Sequence, residues 1–98
     1  MDLIVRVIIR GRVQGVGFRA WTEVTALELG VGGWVRNRSD GSVEAVLAGP
    51  RDAVLRMIEL CRHGPRGARV DSVDQRQAGS VDLALRRPGE LFSILAGF

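Results

Sequence analysis

Strict alternation of apolar and polar positions opens the chain. Between Leu3 and Ile9, the residues Leu3, Val5, Val7 and Ile9 fall on one face and Ile4, Arg6 and Ile8 on the other, which predicts a strand. The period then lengthens. Over 20–29, Ala20, Val24 and Leu27, continued by Val31, recur at i, i+4, i+7 and i+11 and predict a helix with one apolar stripe. Gly30 is suited to cap that helix, and Gly32-Gly33 predict a break after it. Residues 34–38 and 43–48 read as two strands joined by a hairpin, because Ser39-Asp40-Gly41-Ser42 carries the Asp-Gly turn signal. Pro50 at a first helical position and Asp52 in the first turn predict a second helix over 50–62. Its buried stripe is expected to be Val54, Met57, Ile58 and Cys61, and Gly64-Pro65 should end it. A fourth strand is expected over 70–76 and a short final one from Leu91 to Leu95; the polar stretch 77–89 yields no clear element.

The resulting order is βαββαβ plus a short final strand. This is an α+β arrangement, the ferredoxin-like split βαβ sandwich, with an antiparallel sheet carrying two helices on one face. The 98 residues are expected to form one domain over 1–98, without repeat or linker. In the split βαβ unit the first two strands run parallel with the third between them. Their C-terminal ends therefore share one sheet edge, two strand spacings or roughly 10 Å apart.

That edge receives the most informative segment, Gly11-Arg12-Val13-Gln14-Gly15-Val16-Gly17-Phe18-Arg19. The glycine loop is expected over 11 to about 18, between the first strand and the first helix. Glycine tolerates positive φ, so successive backbone N–H groups can face one point and form an anion nest. A helix N-terminus adds partial positive charge, and Arg19 adds a planar fork of donors. The pattern points to a phosphate or carboxylate ligand. Asn37 falls near the end of the second strand, on the same edge, within reach of the same small ligand. Two named motifs are set aside. Gly15-Val16-Gly17-Phe18-Arg19-Ala20 matches G-x-G-x-x-A, but a dinucleotide fold needs a wound parallel sheet, and here a hairpin stands where the second crossover should be. A Walker loop would need G-K-[ST], which is missing. The plainer alternative is a loop using glycine for turning alone. Its length beyond a minimal connection and the position of Arg19 count against that. Taken singly, Arg19 could be a solvated surface residue and Asn37 a strand-end turn residue.

Composition narrows the classes further. Apolar residues make up 46% of the chain, enough for one core, and no run approaches the ~20 apolar residues of a membrane span. The N-terminus lacks the layout of a signal peptide. With the single Cys61 no internal disulfide can form, which fits a reducing compartment; the chain is expected to be cytoplasmic, with no membrane partner. All 14 basic residues are arginine, and the net charge is +3. The arginines are dispersed, and the first and third strands lack the aromatics that an RNA-recognition sheet uses for base stacking, so no nucleic-acid partner is expected. With one His and one Cys, no metal site of usual composition is expected, and no cofactor is implied. His63 reads as a helix-end cation, Cys61 as core, Trp21 and Trp34 as packing residues. Asp71, Asp74 and Asp82 are scattered over polar segments expected to be exposed, and define no acid–base pair.

The glycine segment resembles the first signature of the acylphosphatases. Gly33-Trp34-Val35-Arg36-Asn37, followed by Asp40-Gly41-Ser42-Val43-Glu44, resembles the second. The similarity runs from about residue 5 to residue 75 and returns at Phe92-Ser93-Ile94-Leu95, while 76–90 departs from the pattern. The resemblance implies metal-independent hydrolysis of acyl phosphates to a carboxylate and inorganic phosphate. In that family the loop amides and the motif arginine hold the phosphoryl group and the motif asparagine positions water. Those roles fall on Gln14, Gly15, Val16, Gly17, Phe18 and Arg19 for phosphate, and on Arg19 and Asn37 for catalysis. A similar domain also occurs within larger hydrogenase-maturation carbamoyltransferases, which leaves a phosphate-binding module with little turnover as the alternative to a free-standing enzyme.

Overall fold

The computed structural model describes residues 2–97; Met1 and Phe98, the ends of the expected 1–98 domain, lie outside the described residues. The elements are β1 (Asp2–Arg12), α1 (Phe18–Leu29), β2 (Gly32–Asn37), β3 (Val43–Pro50), α2 (Arg51–Cys61), β4 (Arg69–Gln77), α3 (Ser80–Leu83) and β5 (Phe92–Ile94). The strand order is β4-β1-β3-β2-β5. Three pairings are antiparallel, but β5 joins β2 in parallel, so the sheet is mixed where a wholly antiparallel one was expected. The chain reaches β5 after crossing the sheet, and so arrives running the same way as β2. The α+β sandwich stands. α1 packs on β2 and β5, α2 on β1 and β3, and the two helices touch.

The odd residues of β1 face the helices as expected: Val7 and Ile9 are fully buried. The α2 stripe is also as expected, with Val54, Met57, Ile58 and Cys61 all in the core. Each such fully buried side chain contributes roughly 1.5–3 kcal/mol relative to exposure. Burial pushes the Cys61 thiol up to about 12. At neutral pH a thiol-reactive disulfide reagent should label Cys61 at the rate of unfolding, and at once in denaturant; fast labelling of the native protein would contradict this packing.

The α1 stripe is corrected. Val24 and Leu27 are 56% and 49% exposed, and the buried face is Phe18, Thr22, Thr25 and Ala26. The helix begins two residues earlier than its apolar spacing implied, and threonine fills core positions. The Thr22 hydroxyl donates to the carbonyl of Phe18 at 2.8 Å, which satisfies its polar atom and leaves its methyl to pack.

Four boundaries also move, each for a local reason. Gly11 and Arg12 belong to β1, not to the loop: β4 pairs with β1 through Arg12, with a bulge between Arg10 and Gly11. A side chain at Gly11, φ 132°, would sit on the backbone of Arg69. Gly32 and Gly33 lie inside β2 and break nothing; Gly33, φ 136°, lies so close to the Val46 carbonyl that no Cβ fits. Pro50 remains extended (φ −55°, ψ 140°) as the residue before α2, not its first helical position. Arg38 has left β2 for the neck of the hairpin, donating its N–H to the Ser42 carbonyl at 2.9 Å.

On the sheet face away from α1 and α2, buried Glu44 lies between Arg6 (Nε to Oε2 3.3 Å) and Arg36 (Nε to Oε1 2.8 Å). Such pairing is what a carboxylate requires when it loses water. The polar stretch that was unreadable folds over this face through α3. Asp82, expected to be exposed, binds Arg6 at 2.7 Å, and its carbonyl accepts the indole N–H of buried Trp34 at 2.7 Å.

Candidate active site

The site is built where β1 ends. After Arg12 the chain turns through 13–17, with Gly15 at φ 74° and Gly17 at φ 79°, and enters α1 at Phe18. These two glycines supply the left-handed geometry that L side chains resist. Gly17 caps α1 and provides no side-chain hydrogen bond. The first intrahelical bond runs from Trp21 N–H to the Gly17 carbonyl at 3.0 Å. The N–H groups of Phe18, Arg19 and Ala20 thus precede the helical ladder and have no cap side chain to accept them, the usual condition of an anion-binding helix start.

A cavity of about 280 Å³ opens at this point, lined by Val13, Gln14, Gly15, Gly17, Phe18, Arg19, Ala20, Asn37 and Ile94. Five of the six residues expected to bind phosphate therefore border one space, and Asn37 borders it from the end of β2. Val16 does not line it; its side chain is half-buried and packs against the core. Phe18 serves both cavity and core: it is 2% exposed and meets the edge of Trp21 with ring centroids 5.4 Å apart. Arg19, two residues after Gly17, is exposed, and among the described residues its guanidinium has no carboxylate partner. No carboxylate lines the cavity among the described residues either, so an entering anion meets donors and apolar surface.

The side chain of Gln14 points elsewhere. Its amide nitrogen donates to the carbonyls of Arg38 at 2.8 Å and Ser42 at 2.9 Å, in the neck of the β2–β3 hairpin. The turn itself is held by Asp40, whose Oδ1 accepts the Ser42 N–H at 2.9 Å and the Ser42 hydroxyl at 2.5 Å. These two bonds, the hydroxyl's foremost, hold the Asp40 carboxyl below its ordinary value of 3.8.

Ile94, Val13 and Ala20 are lining residues that sequence reasoning missed. Ile94 reaches the site only because β5 pairs with β2, Val35 opposite Ile94; the closing Phe92–Leu95 segment was the one available hint. His63 and Asp71 are exposed, Cys61 is buried, and none of them borders the cavity. Among the described residues no three His, Cys, Asp or Glu side chains are grouped to hold a metal ion, and no helix is long and apolar enough to cross a membrane.

A split βαβ sandwich with a glycine loop, an uncapped helix start and an arginine without a carboxylate partner among the described residues surrounds one small cavity with the donors that suit a compact anion. Comparison with known proteins makes this specific. The acylphosphatase family model matches residues 5–83. An acylphosphatase of Bradyrhizobium diazoefficiens is 60% identical over 92 residues, 94% of this chain and 93% of the relative. Among solved structures, an acylphosphatase from Coxiella burnetii aligns with a TM-score of 0.83 at 32% identity, covering 96% of this chain and 93% of that one. The acylphosphatase from Bacillus subtilis gives 0.81 at 33% identity, with 97% and 99% covered. The chain belongs to the acylphosphatase family and is an enzyme of that family, a hydrolase.

Proposed function

We propose that this cytoplasmic protein, through its acylphosphatase-like domain, hydrolyses small acyl phosphates to a carboxylate and inorganic phosphate without a metal ion. The observation that carries the reading is the convergence of the Gly15/Gly17 loop, the start of α1, Arg19 and Asn37 on one cavity that no carboxylate lines among the described residues. In this reading the backbone amides of 14–18 and the Arg19 guanidinium hold the phosphoryl oxygens, Arg19 bidentately. Phosphoryl transfer passes through a loose transition state with charge on the equatorial oxygens, so fixed donors contribute most where that charge grows. A carboxylate leaves readily, and no strong acid is needed to assist it. Asn37 donates to and accepts from the attacking water and aligns it with the phosphorus; being an amide, it takes no proton, which passes to a substrate oxygen instead. The apolar side of the cavity, Ala20 and Ile94, faces the acyl group.

The test is phosphate release from benzoyl phosphate by the purified protein with and without a strong chelator. Equal rates well above the spontaneous rate are expected. Tight phosphate binding without turnover would favour a phosphate-binding module; loss of activity on chelation, restored by a divalent cation, would overturn the metal-independent reading.

A further inference from the structure

We propose that the Gln14 side chain is a clamp that sets the distance between the two halves of the site, and that its contribution to turnover passes through Asn37. This rests on the reading above, in which the loop and Arg19 hold phosphate while Asn37 places water.

The backbone ladders between β1, β3 and β2 end at the row of Asn37. The last β1–β3 partners are Ile9 and Val43, and the last β2–β3 partners are Asn37 and Val43. Beyond that row β1 continues to Arg12 paired with β4 alone, on the side away from the hairpin. The glycine loop and the hairpin neck thus project past the common edge with no ladder between them. Gln14 spans that gap. Both hydrogens of its amide are engaged, one on the Arg38 carbonyl at 2.8 Å and one on the Ser42 carbonyl at 2.9 Å. Only an NH2 group can donate to two carbonyls, so the orientation of the amide follows from its neighbours.

The hairpin does not need these bonds in order to close. The Arg38 carbonyl already accepts Gly41 N–H at 3.1 Å, and the Ser42 carbonyl accepts Arg38 N–H at 2.9 Å. Asp40 ties the turn independently. What the Gln14 bonds add is therefore connection between segments. Arg38 follows Asn37 directly, so a bond on the Arg38 carbonyl fixes the end of the peptide chain that carries Asn37. On the other side, Gln14 begins the loop that leads into Arg19. Phosphate ligands from the loop and Arg19 are contiguous and move together. Asn37 is tied to β1 by its pairing with Val43, itself opposite Ile9, and beyond that row the Gln14 side chain links the hairpin to the loop. Loosening this link should leave phosphate binding largely intact and misplace the water, where errors near 1 Å cost on the order of 10²-fold in rate.

The experiment compares wild type with Gln14→Met, which keeps length without donors, and Gln14→Glu, which presents oxygens to the two carbonyls; if one variant folds poorly, the other serves. Benzoyl phosphate turnover and inhibition by inorganic phosphate are measured well below each melting temperature. A remote control is Trp34→Phe, which loses the indole bond to Asp82 on the opposite sheet face and should keep wild-type kcat while losing stability. The expected result is a kcat lowered by about 10-fold or more, with the phosphate inhibition constant within roughly 3-fold. Asn37→Ala and the Gln14→Met/Asn37→Ala double variant complete a cycle, in which the double should turn over about as fast as Asn37→Ala alone. An unchanged kcat in both Gln14 variants would overturn the clamp, as would a phosphate affinity that falls in step with kcat, or losses that multiply in the double variant. If Asn37→Ala itself kept full turnover, the role of Asn37 would fall and the clamp with it. If Asn37→Ala lost turnover and the Gln14 variants did not, the clamp alone would fall.

Discussion

Replacing Arg19 by alanine is expected to lower kcat/KM for benzoyl phosphate by about 10³-fold or more, a loss of roughly 4 kcal/mol in transition-state stabilisation. The size follows from position. Arg19 is the one charged side chain lining the cavity among the described residues, and no carboxylate there competes for it. In the proposed mechanism its positive charge and paired donors meet oxygens whose charge redistributes during transfer. The backbone amides of the loop would remain and should keep some phosphate affinity. Arg19→Lys is expected to lose at least about 10²-fold, because an ammonium supplies a point charge without the planar fork. Steady-state kinetics beside a melting curve decide the matter: a folded Arg19→Ala with wild-type kcat/KM would remove Arg19 from the phosphate site.

Asn37→Ala should act on the other kinetic parameter. We expect kcat to fall by about 10²-fold or more while inhibition by phosphate changes little, since in the proposed mechanism Asn37 orients water and does not carry the anion. Fold stability should drop only modestly. Asn37 is the last residue of β2, only partly buried, and its backbone pairing with Val43 survives the substitution. A variant in which phosphate inhibition weakens as much as kcat would make Asn37 a phosphate ligand.

Much of this was legible in the chain because it rests on local signals. The α2 stripe needs only the 3.6-residue period, and the hairpin only Asp40-Gly41. The glycine loop announced itself by residue types that few other roles require. Misreadings arose where a distant partner decides. Thr22 and Thr25 look polar in sequence and are core in the fold, because a helical carbonyl absorbs the Thr22 hydroxyl. Val24 and Leu27 look like core and face outward, because the sheet lies under the other side of α1. Gly33 reads as a breaker until Val46 is seen pressed against it. Asp82 and the rest of the polar stretch after β4 show no periodicity; their place is set by Arg6 and Trp34, 76 and 48 residues away.

The sequence by itself determined the order of the five strands and the two long helices, the core of β1 and α2, and the candidate residues Arg19 and Asn37, because period, turn chemistry and glycine placement are properties of neighbours in the chain. Tertiary structure alone decided that β5 runs parallel to β2 and brings Ile94 to the cavity, that Val16 packs against the core, and that Gln14 reaches across to Arg38 and Ser42. Each of these depends on which surfaces meet once the sheet closes, and such meetings are settled by packing and hydrogen-bond satisfaction over the whole fold.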